Sequence, residues 1–291
     1  MGRAAVLGGA GFLGSHVADA LQAAGHGVRV FDRAPSKWLA EGQEMIVGDI
    51  TDPAALAEAI DGCDYVYNFA AVADLDKALD RPLDTIRVNI LGNALAMEAA
   101  RAAGAKRFVF ASSIYVYSQT GGFYRCSKQS AETYVEEYQR AYGLDYTILR
   151  YGSLYGPRSD DSNGLFRIVR NALRDGMVTY TGSPDALREY IHVEDAAKAS
   201  VAALGEEFRN DSLVLTGQQL LPIREVLHMI SEILGYETEV LFEERTGTGH
   251  YVRTPYAYMP KPGRKYVSPL HVDLGQGLLQ LIDEVRNGTE D

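Results

Sequence analysis

One short segment restricts this chain more than any other. Ala4 to Leu7 is an apolar run, the stretch from Ser15 to Gly25 has helical spacing, and between them stand Gly8-Gly9-Ala10-Gly11-Phe12-Leu13-Gly14. A strand that passes into a helix through glycines spaced this way has a specific physical use. Gly8 permits the tight turn, Gly11 lets the backbone approach a pyrophosphate, and Gly14 lets the helix lie close on the sheet. The N–H groups of the first helical turn, at Phe12 and Leu13, then face the anion. The spacing predicts a dinucleotide site. Asp32 closes the next strand-like run, Val28 to Phe31, where a carboxylate accepts hydrogen bonds from ribose hydroxyls and repels a 2′-phosphate. NAD is favoured. NADP stays open because Arg33 suits that phosphate, although a solvated loop charge is the preferred reading of it.

The remaining first half repeats the same rhythm. Met45–Val47, Tyr65–Phe69, Arg107–Ala111 and Tyr146–Arg150 read as strands, with helical stretches at Pro53–Gly62, near Thr85–Ala103 and at Tyr124–Tyr142. Strands alternating with helices predict an α/β fold, a Rossmann-type doubly wound parallel sheet. Beyond Tyr151 prolines and glycines recur and periodicity fades, so a smaller C-terminal substrate lobe is expected. The expected division is a dinucleotide-binding domain over 1–152, with 188–204 returning to it, and a substrate-binding lobe from 153–187 and 205–291.

Charge and cysteine content narrow the function classes. The 291 residues carry 28 Lys and Arg against 39 Asp and Glu, a net charge of −11, which argues against a nucleic-acid or anionic-membrane partner. Cys63 and Cys126 lack metal-ligand spacing, so neither a disulfide framework nor a metal site is expected. The N-terminal apolar run is short for a secretory signal, and no stretch approaches a membrane span. A cytoplasmic protein is expected.

Tyr124 and Lys128 form a Tyr-x-x-x-Lys pair, which a helix places on one face. An ammonium beside a phenol favours the phenolate, the form that takes a proton from a hydroxyl as hydride leaves for a nicotinamide. Many such pairs merely mark a solvated face. This one follows the strand Arg107–Ala111 and Ser112-Ser113, the strand end where open α/β sheets bind ligands. Ser113, Tyr124 and Lys128 are therefore the candidate catalytic set, and Ser112 is a candidate for orienting the cofactor.

Taken together, Gly8, Gly11 and Gly14, Asp32, Gly48-Asp49-Ile50, Phe69-Ala70-Ala71, Asn89, Ser112-Ser113, Tyr124, Lys128, Leu149-Arg150-Tyr151 and Arg188 to Val193 resemble the extended short-chain dehydrogenase/reductases. The likeness is to their NAD-dependent epimerase/dehydratase branch, which acts on nucleotide sugars. The resemblance implies that Asp49 and Ile50 bracket the adenine and that Phe69, Ala70 and Ala71 line the cofactor channel. It implies that Asn89 braces the active-site helix and that Tyr151 and Ser153 lie near nicotinamide and substrate. Arg188 resembles the arginine that clamps the diphosphate, and Arg264 is a candidate second phosphate ligand. A homodimer is implied too, through helices carrying Ala94, Ala131, Tyr134 and Tyr138; internal packing is the other reading of those faces.

Two departures stand out. Ser113 and Tyr124 are eleven positions apart, where the family usually carries a longer loop. Ile114-Tyr115 occupies the places of the Asp-Glu pair by which the family's dehydratases eliminate a hydroxyl, and Ile114 also stands where its fucose-forming members use a cysteine. The expected activity is an NAD-dependent nucleotide-sugar epimerase, at C4, through a keto intermediate. An NAD(P)H-dependent reductase of a nucleotide-linked keto-sugar is the alternative. A dinucleotide sensor without catalysis is disfavoured because Tyr124 and Lys128 are both present.

Overall fold

The computed structural model describes residues 1–235 and 240–243, all within the first of two compact units, Met1–Tyr258. Its elements begin with β1 (Arg3–Leu7), α1 (Phe12–Ala23), β2 (Gly27–Asp32), β3 (Glu44–Val47), α2 (Pro53–Ile60) and β4 (Tyr65–Asn68). Next come α3 (Leu75–Asp80), α4 (Pro82–Thr85), a π-helical stretch (Ile86–Gly92) and α5 (Asn93–Ala102). Then follow β5 (Arg107–Ser113), a 3₁₀ turn (Ile114–Tyr117), α6 (Gly122–Tyr142), β6 (Tyr146–Tyr151) and β7 (Ser153–Tyr155). The last described elements are α7 (Gly164–Asp175), β8 (Thr179–Thr181), β9 (Leu187–His192), α8 (Val193–Ala202), β10 (Asp211–Leu215), β11 (Leu220–Pro222), α9 (Ile223–Leu234) and β12 (Leu241–Glu243).

Seven strands form one parallel sheet in the order β10-β6-β5-β4-β1-β2-β3. Strand order reverses at β1, so the crevice beside its C-terminal end is the natural ligand position. The strands are apolar on both sides because both faces are covered. Ala5 and Leu7 pack against α2, α5 and α6, through Leu56, Ile60, Met97 and Val135. Ala4 and Val6 point the other way, onto α1 and α8, through Val17, Leu21 and Ala197. Local signals start and stop the helices. Asp52 caps α2 by accepting from the Ala54 and Ala55 amides, with Pro53 opening the first turn. Gly143, at φ 72°, ends α6.

The expected strands and the doubly wound sheet are present, and two boundaries differ from expectation. β10 lies inside the span 205–291 assigned to the lobe, yet it pairs in parallel with β6 at the edge of the main sheet. Conversely, Leu187–His192 does not return to the main sheet. As β9 it sits in a three-stranded sheet between β11 and β7, with Ile191 entering the core beneath α1 and the following α8 packing on α1. A separate core of Ala172, Val178, Ala186, Ile223, Leu227 and Val240 underlies this part. The connection from β10 to β11 presses closely on β9 at Gly217, where a Cβ would lie 2.0 Å from the Tyr190 carbonyl oxygen.

That contact sets a stability test. Gly217→Ala is expected to lower unfolding free energy by about 2 kcal/mol or more, because backbone must move. Gly164→Ala, with nothing within 4 Å of the added methyl, is expected to stay within about 0.5 kcal/mol in the same denaturant titration.

Candidate active site

Because the sheet is parallel, the C-terminal ends of its strands form one edge, and most of the expected site residues follow those ends. The turn after β1 is held down: the Gly8 and Gly9 amides donate to the Phe31 carbonyl at 2.8 and 3.2 Å. Gly8 has φ +77°, and a Cβ there would lie 2.6 Å from the Ala70 nitrogen, so the segment after β4 presses directly on it. A Cβ on Gly14 would lie 2.3 Å from the Gly8 carbonyl oxygen. Only glycine fits at either place. No side chain caps the start of α1 at Gly11, which leaves the Phe12 and Leu13 amides facing outward at the positive end of the helix. Asp32 accepts from the Ala10 amide at 3.1 Å, so the carboxylate that ends β2 also braces the turn.

Asp49 is exposed and held by the Thr51 hydroxyl and amide, at 2.6 and 2.8 Å, which lowers its pKa. Ile50 is buried, with its side chain against Gly92. Phe69 and Ala70 leave β4 half-buried, anchored by the Phe69 amide on the Leu7 carbonyl and the Ala70 amide on Asn68. Ala71 follows, also half-buried. Asn89 lies in the π-helical stretch. It accepts from the Val72 amide at 2.7 Å and donates to the Val72 carbonyl and to the Ser127 hydroxyl at 2.9 Å, tying the segment after β4 to α6. Four residues on, Asn93 accepts from Asn68 at 2.8 Å. Asn89 from the π-helical stretch and Asn93 from the first position of α5 both bond backbone or side chains at the end of β4, and such π-helical stretches tend to accompany functional sites.

Tyr124 lies in the first turn of α6 and shares a hydrogen bond with the Ser113 hydroxyl at the end of β5. Lys128, one turn further, is 3% exposed. Its ammonium donates to the Ala111 carbonyl at 2.6 Å, lies 4.8 Å from the centre of the Phe110 ring and 5.8 Å from that of Tyr124. Burial pushes Tyr124 up to about 12 against the Ser113 hydrogen bond, and pushes Lys128 down to about 8 against the attraction of Glu132. The protein's own groups therefore leave the phenol above its ordinary range, whereas the acidic phenol expected from the sequence counts the positive nicotinamide ring together with Lys128. Desolvation outweighs a lysine whose ammonium is turned to Ala111.

The short connection between Ser113 and Tyr124 folds down onto α6. Ile114 is 1% exposed, and Tyr115 packs edge-to-face on Tyr124 with centroids 6.2 Å apart. Gln129 donates to the Val116 carbonyl at 2.8 Å and Arg125 to that of Ser118 at 3.2 Å. The sequence reading assigned no part to Glu132 and Arg150, which form a bidentate ion pair behind Lys128. Their signal was present: Glu132 continues the four-residue step of Tyr124 and Lys128, and Arg150 is a charge inside an apolar strand.

Other expectations need adjustment. Tyr151 turns away from the cleft, since its hydroxyl bonds Ser200 on α8 at 2.7 Å and its ring is buried beside Phe69. Ser153 pairs with Tyr190 across β7 and β9, and Arg188 lies two residues before Tyr190 on the same side of β9. Arg188 is 7% exposed and donates to the Leu187 carbonyl at 2.9 Å. Arg264 lies outside the described residues. Ala131 is fully buried, Ala94 packs on the same core, and Tyr138 donates to Glu98 at 2.8 Å, so of the four residues expected at a dimer face only Tyr134 stands free, at 51% exposure. Among the described residues, no group of three His, Cys, Asp or Glu is arranged to hold a metal, and no helix is long and apolar enough to cross a membrane.

The site fits a dinucleotide on its own geometry. The glycine turn opens a seat for a pyrophosphate at an uncapped helix start, and the buried Ser112 hydroxyl at the end of β5 has no partner among the described residues. This fold with a Ser-Tyr-Lys set at the end of β5 defines a dinucleotide-dependent enzyme of the short-chain dehydrogenase/reductase type. Residues 4–215 match the NAD dependent epimerase/dehydratase family, and the chain belongs to it. A UDP-glucose 4-epimerase from Mycolicibacterium smegmatis is 32% identical over 231 residues, 70% of this chain and 73% of that one. The crystal structure of the Thermotoga maritima UDP-glucose 4-epimerase with UDP-glucose matches with a TM-score of 0.79 at 26% identity, over 99% of this chain and all of that one. A Thermus thermophilus UDP-glucose 4-epimerase in complex with NAD matches with a TM-score of 0.79 at 27% identity, over 90% of this chain and 95% of that one. Decarboxylases and a dehydratase of nucleotide sugars are also among the similar proteins.

Lys128 gives a pH test. Held near 8 instead of the ordinary 10.5, the buried ammonium costs folding roughly 3 kcal/mol at neutral pH. The unfolded chain binds the extra proton between these values, so the native protein loses stability as pH falls from about 10.5 to about 8. Lys128→Met is expected to be at least as stable as the parent at pH 7, with its advantage shrinking above pH 8 and gone near 10.5. Denaturant titrations across that range test this, and a marked loss of stability at pH 7 would contradict it.

Proposed function

We propose that this protein is an NAD-dependent nucleotide-sugar epimerase that inverts C4 through a keto intermediate. The observation that carries the reading is the Tyr124 phenol, hydrogen-bonded to Ser113 at the end of β5, one helical turn from buried Lys128. Ile114 is in the core and Tyr115 is packed on Tyr124, so the places where the family's dehydratases hold an acid pair carry none here. The similarity to UDP-glucose 4-epimerases supports the same reading.

When bound, oxidised NAD supplies a positively charged ring that accepts hydride and can return it. The residues of the chain divide the other tasks. Ser113 is placed to share the reacting oxygen with Tyr124. Tyr124 takes the proton from the sugar hydroxyl and returns it to the keto oxygen. Bringing a phenol near 12 close to neutrality requires roughly 7 kcal/mol of preference for the phenolate, and Lys128 contributes to it as a charge already paid for in folding. Asp32 is suited to a ribose diol and so favours NAD over NADP. Gly8, Gly11 and Gly14 with the Phe12 and Leu13 amides hold the pyrophosphate, Asp49 and Ile50 flank the adenine, and Phe69, Ala70, Ala71 and Ser112 border the rest of the dinucleotide. On the substrate side, Ser153 faces the sugar and Arg188 is the clamp for the diphosphate. The high pKa of Tyr124 also favours a second reading, a keto-sugar reductase in which the phenol only donates its proton.

Purified protein is expected to equilibrate a nucleotide sugar with its C4 epimer without added cofactor. Tyr124→Phe is expected to reduce turnover about 10²–10⁴-fold while NAD stays bound. A strict need for added NADPH would replace the epimerase reading with the reductase.

A homodimer and a cytoplasmic location belong to the same proposal. Leu83, Ile86 and Leu91, on α4 and the π-helical stretch, are exposed, as are Phe123, Tyr134 and Tyr142 on α6, which packs beside them. Sedimentation is expected to show twice the chain mass, and Leu91→Lys with Tyr134→Lys to yield a folded monomer. A monomeric parent protein at micromolar concentration would remove the dimer.

A further inference from the structure

We propose that Glu132, fixed by Arg150 and Tyr117, is a positioning residue that keeps the buried Lys128 charged and aimed at the cleft. The inference deepens the role given to Lys128 above and rests on it. Tyr124, Lys128 and Glu132 follow one another at four-residue steps, so α6 stacks them on one face. Glu132 is 7% exposed. Both its oxygens accept from Arg150, Oε1 from Nε at 3.0 Å and Oε2 from Nη2 at 2.7 Å. The remaining guanidinium arm donates to the Tyr117 hydroxyl at 2.5 Å, and the guanidinium carbon lies 5.0 Å from the centre of the Tyr117 ring. One ion pair thereby joins β6, α6 and the connection that leads from Ser113 to Tyr124.

A buried ammonium needs a counter-charge. Among the described residues, few titratable or charged groups face Lys128. Tyr124 and Glu132 lie on its own helix, and Arg150 comes from β6 behind the carboxylate. β5 contributes only the Ala111 carbonyl, the Phe110 ring and the Ser113 hydroxyl, none of them charged. Glu132 is thus the one anion in this set, and it is the group that opposes the effect of burial on the lysine. The bidentate fork matters because it occupies the carboxylate. Glu132 acts on Lys128 through space and does not draw the ammonium into a direct pair away from Ala111 and Tyr124. Arg150 is in turn held well above its ordinary range: burial works against its charge, and the Glu132 carboxylate more than offsets it. The arrangement therefore stays ionised as a unit.

The test uses the full chain with NAD, labelled at lysine ε-carbons, with the Lys128 resonance assigned by its loss in Lys128→Met. Glu132→Gln is expected to move the Lys128 titration about one pH unit lower. It should also move the alkaline limb of the kcat profile with it, so that the loss of turnover is about tenfold greater near pH 9 than near pH 6.5. Glu132→Asp is expected to restore both. Glu132→Gln leaves Arg150 without its partner and can unfold the chain, so Glu132→Gln/Arg150→Gln is measured as well, with a shift expected in the same direction. A Lys128 titration unmoved in every folded variant lacking the carboxylate overturns the proposal. A titration that moves while the kcat profile does not leaves the electrostatic inference standing and removes Lys128 from turnover.

Discussion

A single buried ammonium sets the alignment of side chains at the candidate active site. Lys128 reaches from α6 to the carbonyl of Ala111 in β5, and that bond fixes how α6 is rotated against the sheet. A helix turned by one residue would swing its side chains by about 100°. With Lys128 against β5, Tyr124 one turn earlier meets Ser113, and Glu132 one turn later meets Arg150. The phenol, the hydroxyl that shares its proton and the ion pair behind the lysine all depend on that alignment. A lysine is a costly residue to bury, and such residues cluster at functional sites.

The cofactor side depends on a steric constraint in place of a charge. Gly8 and Gly14 leave room for the segment after β4 and for the backbone of the turn itself. Their contacts bring the uncapped start of α1 to the crevice at the centre of the sheet, where strand order reverses. All strands run the same way, so this seat and the Ser113–Tyr124–Lys128 group lie on one edge. Asn89 links the two halves by bonding both the segment after β4 and Ser127 of α6.

The short Ser113–Tyr124 connection is committed to internal contacts. Its residues are spent on α6 itself: Val116 and Ser118 offer carbonyls to Gln129 and Arg125, and Tyr117 receives Arg150. Ile114 enters the core and Tyr115 covers the face of α6 beside Tyr124. The surroundings of Tyr124 on this side are therefore aromatic and apolar.

Local order in the chain was enough to determine the alternation of strands and helices, the glycine turn, the acidic end of β2 and the facing of Tyr124 and Lys128. Each is set by residues within a turn or two of one another. Tertiary structure alone decided what depended on distant partners. β10 joins the main sheet because β6 offers it a parallel edge, which a run as short as Asp211–Leu215 does not announce. Tyr151 turns into the core because Ser200 lies across the sheet to receive it. The phenol of Tyr124 is raised and the ammonium of Lys128 lowered because burial, a property of the whole fold, outweighs the attraction that their spacing suggests. Spacing along a helix specifies which side chains share a face, whereas their charge is set by how much water the surrounding elements exclude.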